Sequence, residues 1–168
     1  RVFDEEDRGC DVPTTGWRCA DEHRGRAGAG ILDHVAQARV RFVGQKGHAE
    51  LPKYLKACDI FIRASRSEGM GNSFVEAMAA GLPVIATQEG GIADFLFDEK
   101  RDPDKPITGW AVDRDSPKQI AEAVNDIMSH PEKVRAVVRT AREMVLEKYD
   151  WDVVAKDMRD KVFAPLLR

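Results

Sequence analysis

The apolar positions of this chain fall into two kinds of grouping. Short apolar clusters stand between polar or glycine-containing stretches: Val40, Phe42 and Val43; Ile60, Phe61 and Ile62; Val84, Ile85 and Ala86; Trp110, Ala111 and Val112. Runs of this length predict strands, and the second and third have the unbroken apolar character of strands buried on both faces. Between them the spacing turns helical. Residues 31–38 predict a short helix. Residues 49–57 predict another, with Leu51, Tyr54, Leu55 and Cys58 on one side. Residues 73–80 form a third, ended by Gly81 near its C-cap. Gly90 and Gly91 make a turn before a short helix at 92–97, and 98–106 reads as a charged loop. Toward the C-terminus, Ile120, Ala123, Val124 and Ile127 mark one helix, and Val134, Val137, Val138, Ala141, Met144 and Val145 a second. Trp151, Val154, Met158 and Val162 mark a third. Ser129 and Glu132 around Pro131 have capping-box spacing, and Asp150 is placed to cap the last helix.

Strands alternating with helices predict an α/β fold, a doubly wound parallel sheet with helices on both faces and additional C-terminal helices. Right-handed crossovers follow, and in such sheets ligands bind beyond the strand C-termini. The loop 65–72 leaves one predicted strand at that end and enters a helix. Residues 1–30 differ from everything after them. Twelve are charged, five of the chain's 13 glycines fall there, and no apolar period is visible. They read as an irregular or disordered segment, leaving 31–168 as the folded domain.

Length narrows the organisation to one domain, or a domain with a fragment, in 168 residues. Lys plus Arg number 26 against 29 Asp plus Glu, a net charge of −3 that gives no support for a nucleic-acid partner. The 43% hydrophobic and 33% charged content is that of a folded domain rather than a disordered chain. No apolar run is long enough for a transmembrane segment, and no basic start with an apolar stretch marks a secretory signal. Cys10, Cys19 and Cys58 are an odd number and read as reduced thiols of a cytoplasmic protein. Cys10 and Cys19 lie near His23, but the spacing fits no common zinc pattern. The first residue, Arg1, is not Met, so the chain reads as processed, trimmed or a fragment.

The chemistry concentrates in Glu68-Gly69-Met70-Gly71-Asn72-Ser73-Phe74-Val75-Glu76. Two glycines let the backbone approach a ligand closely. The amides that follow open a helix, and its unpaired N–H groups and positive dipole end favour phosphate. The segment is neither a nucleotide-hydrolysing P-loop nor the dinucleotide fingerprint. Glu68 in the loop and Glu76 one turn into the helix can each accept paired hydroxyls. Two plainer readings stand beside this. Ser73 and Glu76 have capping-box spacing, and Glu68 can be a solvated loop acid.

Ser65-Arg66-Ser67-Glu68-Gly69-Met70-Gly71, continued by Glu76-Ala77-Met78-Ala79-Ala80-Gly81-Leu82-Pro83-Val84-Ile85-Ala86-Thr87, resembles the nucleotide-sugar signature of family 4 glycosyltransferases. Those enzymes carry two glutamates separated by seven residues in the C-terminal, Rossmann-like half of the GT-B fold. Val40-Arg41-Phe42-Val43-Gly44 resembles the strand before the signature, and Gly90-Gly91-Ile92-Ala93-Asp94 the family's Gly-Gly turn. Thr108-Gly109-Trp110-Ala111-Val112 and the helix after Pro117 resemble its later elements. The likeness covers roughly residues 35–163.

The resemblance implies a retaining glycosyltransferase, hexosyltransferase-like, that moves a sugar from a nucleotide-diphosphate sugar to an acceptor hydroxyl in glycan biosynthesis. Glu68 is then the catalytic-site carboxylate, contacting the donor sugar. The backbone of Gly69, Met70, Gly71, Asn72 and Ser73 holds the diphosphate, and Glu76 holds the ribose. Gly44 and Gln45 lie against the base, and Gly90 and Gly91 form a close-approach turn. No metal and no cofactor besides the donor substrate is implied. The partner it implies is a missing N-terminal acceptor-binding domain, together with a first strand or two of this one. The last helix, 151–167, would cross back to that domain and otherwise leave an apolar face exposed. The complete enzyme would be cytoplasmic or at the inner membrane face, and the isolated chain inactive. The family's Arg and Lys pair, which grips the diphosphate, has no match here. Arg63, Arg66 and Lys46 are the available substitutes, with ordinary surface charges the alternative for each. Two other functions stay open: a non-catalytic nucleotide-sugar-binding module or degenerate remnant, and a sugar-nucleotide epimerase on the same fold, whose own acid/base residues near Glu68 are not visible.

Overall fold

The computed structural model describes residues 41–166. The expected irregular segment 1–30, the helix at 31–38, Val40, Cys10, Cys19 and His23 lie outside the described residues. In chain order the elements are α1 (Leu51–Lys56), β1 (Phe61–Arg63), α2 (Asn72–Ala79), β2 (Val84–Ala86), a 3₁₀ turn (Gly90–Asp94), β3 (Trp110–Ala111), α3 (Pro117–Ser129), α4 (Pro131–Lys148) and α5 (Trp151–Met158). A π-helical stretch (Arg159–Phe163) then leads into α6 (Ala164–Leu166).

The three strands pair in parallel in the order β1-β2-β3. Phe61 sits opposite Val84 and Arg63 opposite Ala86, while Ile85 sits opposite Trp110. β2 is the middle strand, and Val84, Ile85 and Ala86 are all fully buried. Alternation along it feeds two cores. Val84 and Ala86 join Phe74, Ala77 and Met78 of α2, with Ile92, Phe95, Leu96, Ala141 and Val145. Ile85 joins Trp110, Val112, Ala123 and Ile127 on the other face, with Val134, Val137 and Val138. Helices therefore cover both faces, as the alternation of strands and helices predicts. The first core carries a run of aromatic rings: Phe61 meets Phe74 edge-on at 5.5 Å, and Phe95 meets Tyr149 edge-on at 5.9 Å.

Two polar anchors tie the connections to the sheet. Buried Thr108 donates to the Phe95 carbonyl at 2.6 Å and accepts from the Phe97 amide at 2.8 Å. Asp98 Oδ2 accepts from the Ala111 amide at 3.0 Å, which covers the outer edge of β3. On the second face, Asp126 of α3 accepts from Trp110 Nε1 at 2.7 Å and from Lys133 Nζ at 2.9 Å. His130 Nδ1 stands 3.0 Å from its other oxygen. The group thus joins β3, α3 and α4.

Several expectations from sequence are corrected. Of the strand expected at Val40, Phe42 and Val43, residues 41–43 are irregular, and Phe42 is 79% exposed. Residues 41–43 pair with no strand, and β1 is an edge of the sheet among the described residues. The short helix at 92–97 is the 3₁₀ turn Gly90–Asp94, after which Phe95, Leu96 and Phe97 turn inward. The capping box of Ser129 and Glu132 does not form. Ser129 is the last residue of α3, and His130 is the single joint between α3 and α4. Asp150 does cap α5, accepting from the Asp152 amide at 2.8 Å. On α5 and beyond, Trp151, Val153, Met158, Val162, Phe163 and Leu166 are exposed.

Burial opposes the charge of Asp126, yet Trp110, Lys133 and His130 together hold its carboxyl below the usual carboxylate range. A lowered folded value means the stabilisation is present above the unfolded aspartate range, about pH 4, and is lost as pH falls through the folded value. Asp126→Asn is expected to lose about 1 kcal/mol at pH 7, solvent screening included, and to show a shallower acid loss than the parent below about pH 4. Urea denaturation at a series of pH values measures both; parallel acid limbs in parent and variant would contradict the assignment.

Candidate functional site

A parallel sheet presents all its strand C-termini at one end. Here that end is made of Arg63, Ala86 and Ala111 and the loops that follow them. The loop after β1 is the longest of the sequence-predicted signature. It reaches α2 through Gly71, which serves as the helix N-cap with φ of +69°. Asn72 is the first helical residue and Ser73 the second. The Ser73–Glu76 capping box is therefore absent, and no side chain caps α2. The Phe74 amide is bonded to the Gly71 carbonyl at 3.0 Å, and the Asn72 and Ser73 amides before it have no side-chain cap, the arrangement that accepts anions.

Glu68 is held rather than solvated. Its side chain is only 11% exposed. Ser65 Oγ donates to Glu68 Oε1 at 2.6 Å, and Arg63 Nη2 lies 2.7 Å from the same oxygen. Glu76 stands one turn further along α2, with 36% of its side chain exposed. His48 Nδ1 is 3.9 Å from Glu76 Oε1, too far for a hydrogen bond, but near enough to place the segment before α1 beside α2.

The loop is clamped from the neighbouring strand. Buried Thr87, just beyond β2, donates to the Ser65 carbonyl at 2.6 Å. The Gly91 amide donates to the Gly69 carbonyl at 2.8 Å. Gly90 has φ of +57°, and a Cβ there would lie 2.0 Å from the Glu68 carbonyl oxygen; one on Gly91 would lie 2.8 Å from that of Gly69. Two residues without side chains are what lets this turn lie directly on the loop. Ion pairs rim the same end. Arg114 grips Glu89 with two nitrogens and holds that carboxyl below its ordinary value. Arg66 pairs with Asp115 at 2.8 Å, and Arg101 with Asp113 at 2.7 Å.

The structure thus brings together Glu68, Gly69, Met70, Gly71, Asn72, Ser73, Gly90 and Gly91, with Glu76 a turn away. Gly69 and Met70 are exposed. Gly44 and Gln45 lie exposed in the irregular segment, and no hydrogen bond joins either to the loop among the described residues. Arg63, one of the three substitute cations, enters the site, whereas Arg66 is turned to Asp115. Sequence reasoning missed Ser65 and Thr87. The Ser65–Glu68 spacing was the available signal for the first; nothing local marked the second. Among the described residues no three His, Cys, Asp or Glu side chains converge as metal ligands, and no helix is long and apolar enough to cross a membrane.

The chain is similar to a known family and to several known proteins. The family model described as "Glycosyl transferases group 1" matches residues 25–144. A GDP-mannose-dependent alpha-(1-6)-phosphatidylinositol monomannoside mannosyltransferase of Mycobacterium tuberculosis is 32% identical over 138 residues, which is 78% of this chain and 33% of that one. Among solved structures, sucrose-phosphate synthase from Thermosynechococcus elongatus aligns with a TM-score of 0.69 at 30% identity, over 79% of this chain and 31% of that one. Anabaena HepE, solved with UDP-glucose, shares the fold with a TM-score of 0.67 at 21% identity, over 77% of this chain and 34% of that one. The chain spans about a third of the length of the relatives it matches.

The clamp makes a contrast between two glycines of the site. Gly90→Ala combines a left-handed backbone with a backbone clash and is expected to cost about 2 kcal/mol or more. Gly69 has open space where a Cβ would go. Gly69→Ala is expected to stay within about 1 kcal/mol of the parent. Denaturant unfolding of the two variants side by side checks the order, and equal stabilities would count against the clamp.

Proposed function

The chain belongs to the group 1 glycosyl transferase family, and on that premise we propose that it is the donor-binding half of a transferase that moves a sugar from a nucleotide-diphosphate sugar to an acceptor hydroxyl. One observation carries the reading. A single loop–helix unit at the strand C-termini supplies an enclosed carboxylate, a glycine-lined backbone, an uncapped helix start and a second carboxylate one turn on. Those groups are complementary, in that order, to sugar hydroxyls, a diphosphate and a ribose.

In this reading Glu68 accepts hydrogen bonds from the donor sugar, and Glu76 from the ribose hydroxyls. The amides of Gly69, Met70, Gly71, Asn72 and Ser73 face the diphosphate. Gly90 and Gly91 support the loop from behind, and Gly44 and Gln45 lie toward the base. As the glycosidic bond breaks, negative charge grows on the leaving diphosphate. Fixed amides and the α2 dipole stabilise that charge without reorganising, so no metal is required. The reaction retains anomeric configuration and delivers hexose. The acceptor is held by a domain beyond this chain, so the chain alone binds donor and transfers nothing. Two nucleotides have a claim on the base site: the mycobacterial relative is GDP-mannose-dependent by name, and Anabaena HepE was solved with UDP-glucose.

The test is calorimetric titration of the purified chain with UDP-, GDP- and ADP-sugars. One nucleotide class is expected to bind. Glu76→Ala is expected to weaken it about tenfold or more, the value of a lost charged hydrogen-bond acceptor. A folded chain that binds none of them, or binds equally well without Glu76, would sink the proposal.

A further inference from the structure

Glu68 and the first turn of α2 lie at opposite ends of the glycine loop, and one side chain joins them. Arg63 is the last residue of β1. Its Nη2 lies 2.7 Å from Glu68 Oε1, and its Nη1 donates to Ser73 Oγ at 2.9 Å. The guanidinium rests over the Phe74 ring, 5.5 Å from the centroid. That ring is fully buried, so the cation lies on a fixed surface. A planar fork engaged through both terminal nitrogens cannot turn without breaking a contact.

The chemistry of the pairing is directional. Ser65 Oγ donates to Oε1 of Glu68 at 2.6 Å, and Arg63 Nη2 lies 2.7 Å from the same oxygen. One hydrogen bond and one ion-pair contact hold Oε1 from two sides. Arg63 also sets a positive charge against this enclosed carboxylate. Its two terminal nitrogens face Glu68 and Ser73, protein groups at the two ends of the glycine loop.

We infer that Arg63 is the positioning residue of the donor site, holding Glu68 by Oε1 at a set place relative to the start of α2, so that Oε2 meets the hydroxyls of the donor sugar. The inference rests on the donor-site reading above and adds a residue to it. It makes Arg63 matter for the sugar and not for the nucleotide.

Calorimetry of the purified chain with UDP-glucose against UDP, and GDP-mannose against GDP, separates the two. For whichever pair the parent binds, the ratio of the two dissociation constants measures what the sugar contributes. Arg63→Met is expected to cut that ratio about tenfold and leave the nucleoside diphosphate constant within about twofold. Arg63→Lys keeps the charge, but a single ammonium cannot span Glu68 and Ser73, so it restores only part of the ratio. Ser73→Ala removes one anchor of the fork and is expected to lower the same ratio, which carries the test if Arg63→Met fails to fold. Equal weakening of UDP and UDP-glucose would reassign Arg63 to the diphosphate and overturn the inference. An unchanged ratio in the folded variants, or a parent that gains nothing from the sugar, would overturn it too. A parent that binds none of the four ligands removes the donor-site reading itself, an outcome distinct from a binding parent with indifferent Arg63 variants.

Discussion

Everything in this domain is arranged around the complete burial of β2. Val84, Ile85 and Ala86 have no solvent on either face. A strand in that position must pair its backbone on both edges and pack its side chains on both faces. β1 and β3 satisfy the first demand, and α2 with the 3₁₀ turn on one side and α3 on the other satisfy the second. The cost of leaving any buried amide unpaired is comparable to a lost hydrogen bond, so a strand this short tolerates little deviation. The C-terminal ends of the three strands are thereby fixed together, and the site inherits their spacing.

From that frame the loop after β1 is held by its own backbone carbonyls. Thr87 holds the Ser65 carbonyl, and Gly91 holds that of Gly69. The carboxylate of Glu68 is then oriented from two directions, by Ser65 and Arg63. Scaffold, loop and functional group form a sequence of supports in which each rests on the one before. This is how a loop, ordinarily the mobile part of a fold, can hold a charged group in a defined direction.

Much of this was legible in the residue order, because the signals were local. The apolar triplets at Ile60–Phe61–Ile62 and Val84–Ile85–Ala86 mark strands, and the spacing from Val134 to Val145 marks a helix. The two glutamates flanking the glycines are visible without any structure. What was not legible depends on partners distant in sequence. Val40, Phe42 and Val43 have the same apolar character as the true strands, but Phe42 and Val43 are exposed, and apolar character alone does not bring a segment onto a sheet. Ser73 with Glu76, and Ser129 with Glu132, have capping spacing, yet in each case the helix boundary falls elsewhere: Gly71 caps α2, and His130 separates two consecutive helices. Arg63 reads as a surface charge until the direction of its side chain at the end of β1 is known. Thr87 reads as one more β-branched residue until its hydroxyl is found on the loop.

The long helix α4 has a property that neither core has alone. Its first half, through Val134, Val137 and Val138, belongs to one face of the sheet, and its second half, through Ala141 and Val145, to the other. One rigid rod thus shares its burial between two layers. Peeling it away from either strips apolar cover from both, so the layers lose stability together rather than one after the other. The domain is built to open cooperatively, and amide exchange at Val84, Ile85 and Ala86 accordingly reports global rather than local opening.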